Sequence, residues 1–440
     1  MDIDLKLFFE LLSIPSISSE SAYAPEVRRC AQWIKNYLDN LGYQTELIET
    51  ERHPILIASY IVDPKKKTLL IYNHYDVQPV DPLELWETPP FEPAIKNDEI
   101  YARGAQDNKG QLFYVLTALS ALKKPPINIK LIIEGEEECG SKSLHDVLPT
   151  IGHKLKADYL AIVDLGIPRI DKPAITLGTR GLVTFEIKLT GSNSDMHSGM
   201  QGGVLFNPIH ALVQMLSKAR NEAGEITIPG FYEGIAPISE REKQQIDFSF
   251  DAAEYKKHFD AEPVGGEQKF SPMERLWLRP TLEVNGIHGG YTNEGFKTVI
   301  PAVAYAKLSC RLVPGQEPEK IAKHLTEFFK AHTPNGMKMD FKTNPGSGTA
   351  ARSLPSSKGV QAFAKAISEV FQKPCAFVLE GASIPIIPEL AEASGAEPIL
   401  IGLGLPTDKI HAPNEHFGID RLKKGADMIA KGIQLLNEDS

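Results

Sequence analysis

A histidine and an aspartate stand two residues apart in Asn73-His74-Tyr75-Asp76-Val77-Gln78-Pro79, directly after the apolar run Leu69-Leu70-Ile71-Tyr72. On an extended backbone, residues i and i+2 point the same way. The imidazole can bind a metal while the carboxylate binds it too or steadies the ring from behind. A hydrogen-bonded polar pair is the plain alternative, and ligands elsewhere must decide. Asp107 lies in Gly104-Ala105-Gln106-Asp107-Asn108-Lys109-Gly110, a glycine-flanked loop before a helix. There it is either a helix cap or a carboxylate whose two oxygens bind two cations. Glu134-Gly135-Glu136-Glu137-Glu138 follows the apolar Leu131-Ile132-Ile133. Carboxylates crowded in this way repel one another unless solvated or bound to cations. Asp164 ends Ala161-Ile162-Val163, and His411 precedes the last helix; singly, each reads as a turn or capping residue. Together, two histidines and three carboxylates emerging from strand ends suit two divalent cations that share one carboxylate. Mixed nitrogen and oxygen donors favour zinc, manganese or cobalt over calcium.

Those residues need a sheet to carry them. Val27, Ala31, Ile34, Leu38 and Leu41 recur at helical spacing, with Gly42 as a stop. Residues 69–72, 129–133 and 159–163 read as strands, and Leu112, Val115, Leu116, Leu119 and Leu122 as a helix between them. This alternation predicts an α/β fold, a sheet with helices on both faces, whose ligands gather beyond the carboxyl ends of the strands. From about residue 181 the pattern changes. Phe185, Ile187 and Leu189 alternate with polar residues as in a half-solvated antiparallel strand, and Asn207-Pro208 opens a helix. Residues 221–269 read as irregular or partly helical. Strands at 281–284 and 304–312 and a helix from Pro318 follow. The first pattern returns with helices through Val360–Val370 and Ile419–Leu436. The expectation is a discontinuous domain of residues 1–180 and 351–440 that carries an inserted α+β domain at 181–350.

The 440 residues allow two domains. They are 42% hydrophobic and 24% charged, ordinary values for a globular chain. A net charge of −10 argues against nucleic-acid and anionic-membrane partners. No apolar run reaches the roughly 18 residues of a membrane helix, and the first residues lack the basic start of a signal peptide. Cys30, Cys139, Cys310 and Cys375 are scattered, which fits reduced thiols in the cytoplasm. Neither a phosphate-binding glycine loop nor an H-E-x-x-H motif is present.

The ordered motifs are His74-x-Asp76-x-Gln78-Pro79, Arg103-Gly104-x-x-Asp107-Asn108-Lys109-Gly110 and Glu134-Gly135-x-Glu137-Glu138-x-Gly140-Ser141. They continue with His197-Ser198-Gly199, Lys297-Thr298-Val299-Ile300-Pro301, Arg311-x-Val313-Pro314, Glu380-Gly381-Ala382-Ser383 and His411-x-x-Asn414-Glu415. In these the chain resembles the dimetal exopeptidase and deacylase family, metallopeptidase family 20, and within it the carnosinase-type cytosolic dipeptidases. The resemblance implies a mixed-sheet α/β/α catalytic domain with a ferredoxin-like lid and dimerisation domain. It implies two divalent metal ions per subunit, zinc foremost, with manganese or cobalt as alternatives. His74 and Asp164 would hold one ion, Glu138 and His411 the other, and Asp107 would bridge them. Asp76 would orient His74, and Glu137 would be the general base. His197 would stabilise the oxyanion, in many family members from the partner subunit of a homodimer. Arg311 would bind the substrate carboxylate, with Ser383, Gly381 and Thr298 as further substrate contacts. Ala382 stands where many relatives have glycine and disfavours positive φ. The implied activity is hydrolysis of dipeptides or short peptides. An N-acyl amino acid deacylase or desuccinylase is the alternative, and a non-catalytic metal-binding protein the remote one.

Overall fold

The computed structural model describes residues 1–235 and 237–438. Its large sheet is mixed and nine-stranded. At its centre the strand Thr68–His74 lies between Asn128–Glu134 and Tyr159–Val163, parallel to both. Glu397–Ile401 continues the parallel run beside Tyr159–Val163. Gln44–Ile48 and Ile55–Tyr60 extend one side, and Ala174–Thr179, Ala351–Arg352 and Ala376–Glu380 the other.

Side chains alternate across this sheet. Leu69, Ile71, Ile129, Leu131, Tyr159 and Ala161 face a core closed by the helices Ala24–Asn40, Lys109–Leu122, Lys358–Phe371 and Ile419–Glu438. Leu70, Tyr72, Ile132, Leu160 and Ile162 face the other side, covered by Lys142–Ile151 and Ile387–Ser394. Burial on both faces explains why these strands read as unbroken apolar runs. The architecture is α/β/α as expected.

The second sheet is antiparallel, in the order Thr281–Gly289, Val303–Leu312, Gly181–Thr190 and Lys338–Thr343. Pro208–Ser217 and Pro318–His332 cover one face, where Phe185, Ile187, Leu212, Met215, Leu308, Leu325 and Phe329 form a separate core. Two βαβ-like halves with this strand order make a ferredoxin-like α+β unit. Its strands all lie between residues 181 and 343. The intervening segment behaves differently: Ile246 and Trp277 pack in the core of the large sheet instead. Residues 221–269 contain the short helices Glu240–Lys243 and Ala252–Phe259, with Pro272–Trp277 just beyond.

Two details differ from the sequence reading. The helix after the Asp107 loop begins at Lys109, so Gly110 lies in its first turn. A Cβ there would stand 1.9 Å from the Ala105 carbonyl oxygen, and only glycine permits that approach. Ala382 is absent from the residues with positive φ, so its methyl carries no backbone strain. All four cysteines are free thiols, and no helix of the described residues is long and apolar enough to cross a membrane.

Candidate metal centre and active site

Three adjacent parallel strands end side by side. The strand Thr68–His74 delivers His74, Asn128–Glu134 leads into the turn that carries Glu137 and Glu138, and Tyr159–Val163 leads to Asp164. Asp107 comes from the loop before Lys109–Leu122, and His411 from the loop between Glu397–Ile401 and His416–Gly418.

Ligand atoms converge in two triads, His74–Asp107–Asp164 and Asp107–Glu138–His411, each with its ligand atoms within 4.8 Å of one another. His74 Nε2 lies 3.1 Å from Asp107 Oδ1 and 3.6 Å from Asp164 Oδ1. His411 Nε2 lies 2.9 Å from Asp107 Oδ2 and 3.2 Å from Glu138 Oε2. Asp107 therefore gives one oxygen to each triad. Oxygen and imidazole donors in two sets of three fit two divalent cations. Glu138 Oε1 is buried with no hydrogen-bond partner in the structure, a free ligand atom at the second set.

The electrostatics match a site built for positive charge. Burial disfavours a charged His74, yet Asp164, Asp107 and Asp76 around it raise its pKa well above the ordinary histidine value. His411 is pushed up to about 11 by its hydrogen bonds to Asp107 and Glu138. Burial, reinforced by Asp107, raises Glu138 to about 7. Glu137 belongs to neither triad; burial foremost, then Asp164, Glu138 and Asp107, keep its carboxyl well above the usual range, against the charge of His74.

A shell of buried polar groups fixes these ligands. Asp76 is fully buried. Its Oδ1 lies 3.2 Å from His74 Nδ1, which is also 3.1 Å from the Asp76 carbonyl. The same carboxylate accepts from Ser18 Oγ (2.6 Å), Glu137 N (3.3 Å) and Glu138 N (3.1 Å). It thus ties the histidine strand to the glutamate turn. Asn108 Nδ2 donates to Asp164 Oδ1 at 2.5 Å, and Gln78 Nε2 to Glu138 Oε2 at 2.8 Å. Glu415, also fully buried, accepts from the backbone N–H groups of Gly104, Gln106 and Asp107 and from Arg103 Nη1. It clamps the Asp107 loop to the His411 loop. Sequence reasoning gave Ser18, Gln78, Asn108 and Glu415 no role. Three of them lie in quoted motifs, while nothing in the sequence marks Ser18.

The crowded acids divide by destination. Glu134 accepts from Tyr72 Oη and Ser141 Oγ, both at 2.8 Å. Glu136 accepts from His53 N and from Ser143 N and Oγ. Only Glu137 and Glu138 face the site. Burial pushes the Cys139 thiol up to about 11, which favours the protonated thiol over the thiolate.

A cavity of about 890 Å³ opens from Asp107, Glu137, Asp164 and His411 and is bordered by Ser383. Ser383 Oγ donates to the Gly181 carbonyl at 3.0 Å. The Gly381 carbonyl accepts from Arg180 Nε at 2.7 Å, and a Cβ at Gly381 would meet Leu276 Cδ1 at 2.8 Å. Arg311 sits half-buried on Val303–Leu312, where burial lowers its pKa and the charge of Glu380 opposes that. His197 ends the short strand Met196–His197, opposite Val299, and Thr298 immediately precedes the partner strand Val299–Ile300; the side chains of His197 and Thr298 are exposed. His197 Nδ1 accepts from Gly199 N at 3.0 Å. Arg311, Gly381, His197 and Thr298 do not line the cavity of this chain.

Known proteins are similar to this chain in sequence and in fold. The Cys-Gly metallodipeptidase dug1 of Schizosaccharomyces pombe is 33% identical over 94% of this chain and 91% of its own. The beta-Ala-His dipeptidase of Homo sapiens is 32% identical over 82% of this chain and 73% of its own. Among solved structures, the M20 family metallo-carboxypeptidase Sso-CP2 from Sulfolobus solfataricus superposes with a TM-score of 0.90 at 34% identity, covering 100% of both chains. Residues 70–434 match peptidase family M20/M25/M40, and the chain belongs to that family.

Proposed function

We propose that the protein is a two-metal hydrolase that cleaves the peptide bond of dipeptides and short peptides. The observation that carries this reading is Asp107, whose two oxygens serve two separate ligand triads. The dipeptidase names of relatives near one-third identity support the substrate class.

His74 and Asp164 would hold one cation, Glu138 and His411 the other, with Asp107 between them. When bound, the pair supplies Lewis acidity toward the scissile carbonyl and a water acidic enough to ionise near neutral pH. Zinc fits the donor set, as do manganese and cobalt. Glu137 lines the cavity without joining either triad. It would take a proton from the attacking water and return it to the leaving amine nitrogen. Asp76 holds the His74 ring and the Glu137–Glu138 backbone in register.

Residues 1–180 and 351–440 would form the catalytic unit, and 181–350 a lid and dimerisation unit. Arg311 would hold the substrate carboxylate, with Gly381, Ser383 and Thr298 beside it. His197 would reach the oxyanion from the partner of a homodimer. Met200, Val204 and Phe296, 75%, 83% and 91% exposed on the second unit, support such a contact. The free thiols support a cytoplasmic setting.

The test is hydrolysis of a dipeptide panel and an N-acyl amino acid panel by protein loaded separately with Zn, Mn and Co. Release of free amino acids from dipeptides is the expected result. Cleavage of N-acyl amino acids alone would replace the peptidase reading with a deacylase.

A further inference from the structure

We propose that the arm of the cavity away from the metal ligands is a specificity pocket for a large apolar residue on the acyl side of the scissile bond. This rests on the reading of the site as a peptide hydrolase. At about 890 Å³ the cavity is near the top of the roughly 300–1,000 Å³ range of small-molecule sites. A dipeptide of small residues leaves much of it unfilled. Away from the ligands its lining carries an apolar and aromatic group, Ile170, Phe250, Tyr255, Phe259, Leu276 and Trp277, with Asp171, Asp251, Glu254 and His258 between them.

Three of these are unusually exposed for their type: Phe259 at 58%, Leu276 at 44% and Ile170 at 41%. Single exposed apolar residues are ordinary, but several converging on one concavity mark a binding surface. Their continuity with the ligand triads assigns the occupant, since one cavity runs from Glu137 to Phe259.

The wall is prebuilt. Trp277 is 9% exposed and packs in the main core, with Phe248 5.6 Å away ring to ring. Asp247 N donates to the Phe377 carbonyl at 2.9 Å, and Lys172 pairs with the Asp247 carboxylate. The rings of Phe250, Tyr255 and Phe259 follow one another at 5.5 and 4.9 Å. A segment inserted with the small sheet is thus fastened to the large one, and little ordering cost remains when a side chain enters.

Charge fixes the direction. Among the described lining residues the one permanent cation is Arg169, already bonded through two nitrogens to Asp171 at 2.8 and 2.7 Å. Asp251 is occupied capping its helix. Glu254 and His258 also line the arm, with Glu254 4.0 Å from Arg169. Among the described lining residues the arm therefore offers carboxylates and no unpaired permanent cation to a terminal carboxylate, and Arg311 lies outside it. An apolar side chain on the acyl side is what the arm can hold.

The experiment compares Phe-Gly and Leu-Gly with Ala-Gly. kcat/KM is measured on the metal-loaded full chain, and binding is measured calorimetrically on metal-loaded Glu137→Gln protein. The bulky substrates should be favoured by about 10-fold or more in both, as expected for several added methylenes in an apolar pocket. The double substitution Phe259→Ser with Leu276→Ser should shrink that ratio by about 10-fold, with metal content and melting temperature showing that the fold persists. Equal preference in both measurements, or a ratio unmoved by the double substitution, overturns the pocket. Selective binding of Phe-Gly with no turnover of any peptide would overturn the hydrolase reading and leave the pocket standing.

Discussion

Replacing Glu415 by glutamine changes one atom and should loosen the metal centre without touching a ligand. Glu415 Oε2 accepts from Arg103 Nη1 at 2.7 Å and Gly104 N at 2.9 Å; Oε1 accepts from Gln106 N and Asp107 N, both at 3.0 Å. Burial raises the pKa of this carboxyl, and the charge of Arg103 opposes the rise. A glutamine keeps one acceptor oxygen and turns an amide NH₂ toward the other pair, so two buried donors face a donor. Each stranded donor costs about 1–3 kcal/mol, or about 2–6 kcal/mol for the pair. Leaving one side of a buried ion pair uncompensated costs about 3–5 kcal/mol. With the amide oxygen kept on Arg103 Nη1 and Gly104 N, the stranded donors are Gln106 N and Asp107 N, and Arg103 loses only its counter-charge. The two losses therefore do not add in full, and the expected destabilisation is about 3–5 kcal/mol. Arg103 keeps its bond to the Pro79 carbonyl, which limits the damage. Because Asp107 N is among the donors released, the bridging carboxylate should shift and metal affinity fall about 10- to 100-fold. Urea unfolding of the metal-free protein gives the first number, and competition against a chelating dye the second. Wild-type stability together with wild-type metal affinity would refute the reasoning.

Further outcomes follow from the same geometry. Asp76→Asn should weaken metal binding about 10- to 100-fold without abolishing it, because the ligands remain and only their support is lost; dialysis against graded chelator checks this. Asp107→Ala should cost both sites, leaving less than one ion per chain by elemental analysis, since each triad contains it. In the metal-free protein, His74 and His411 hold protons above the unfolded histidine value of about 6.5. Their carboxylate pairs should therefore contribute full stability below pH about 6.5 and lose it as pH rises toward the folded values, about 11 for His411. Cations need both imidazoles neutral, so loading at pH 7 should release protons and tighten as pH rises. A pH-independent affinity would contradict this.

The central strands were legible because burial on both faces leaves no polar alternation. Residues 69–72, 129–133 and 159–163 read as strands, and the chemistry lay at their ends. Thinner signals were lost. Gln44–Ile48 and Lys338–Thr343 are edge strands rich in exposed polar residues, and Ala376–Glu380 is short and only partly buried. The division among Glu134, Glu136, Glu137 and Glu138 could not be read locally, since it depends on Tyr72, Ser141, His53 and Ser143. Glu415 stood in a quoted motif, yet its role needs the distant backbone of residues 104–107. Much of the cavity wall lies in residues 221–269, which read as irregular or partly helical, although Phe248, Phe250, Tyr255 and Phe259 stand there as a signal.

Glu137→Gln tests the central claim most directly. Metal content and dipeptide turnover are measured on the same preparation, after chelation and stoichiometric reloading. The account predicts two ions per chain in both wild type and variant. It also predicts no turnover in chelated protein and a kcat lowered about 10²- to 10⁴-fold in the variant. Full turnover by the metal-loaded variant, or activity in the chelated wild type, would contradict it.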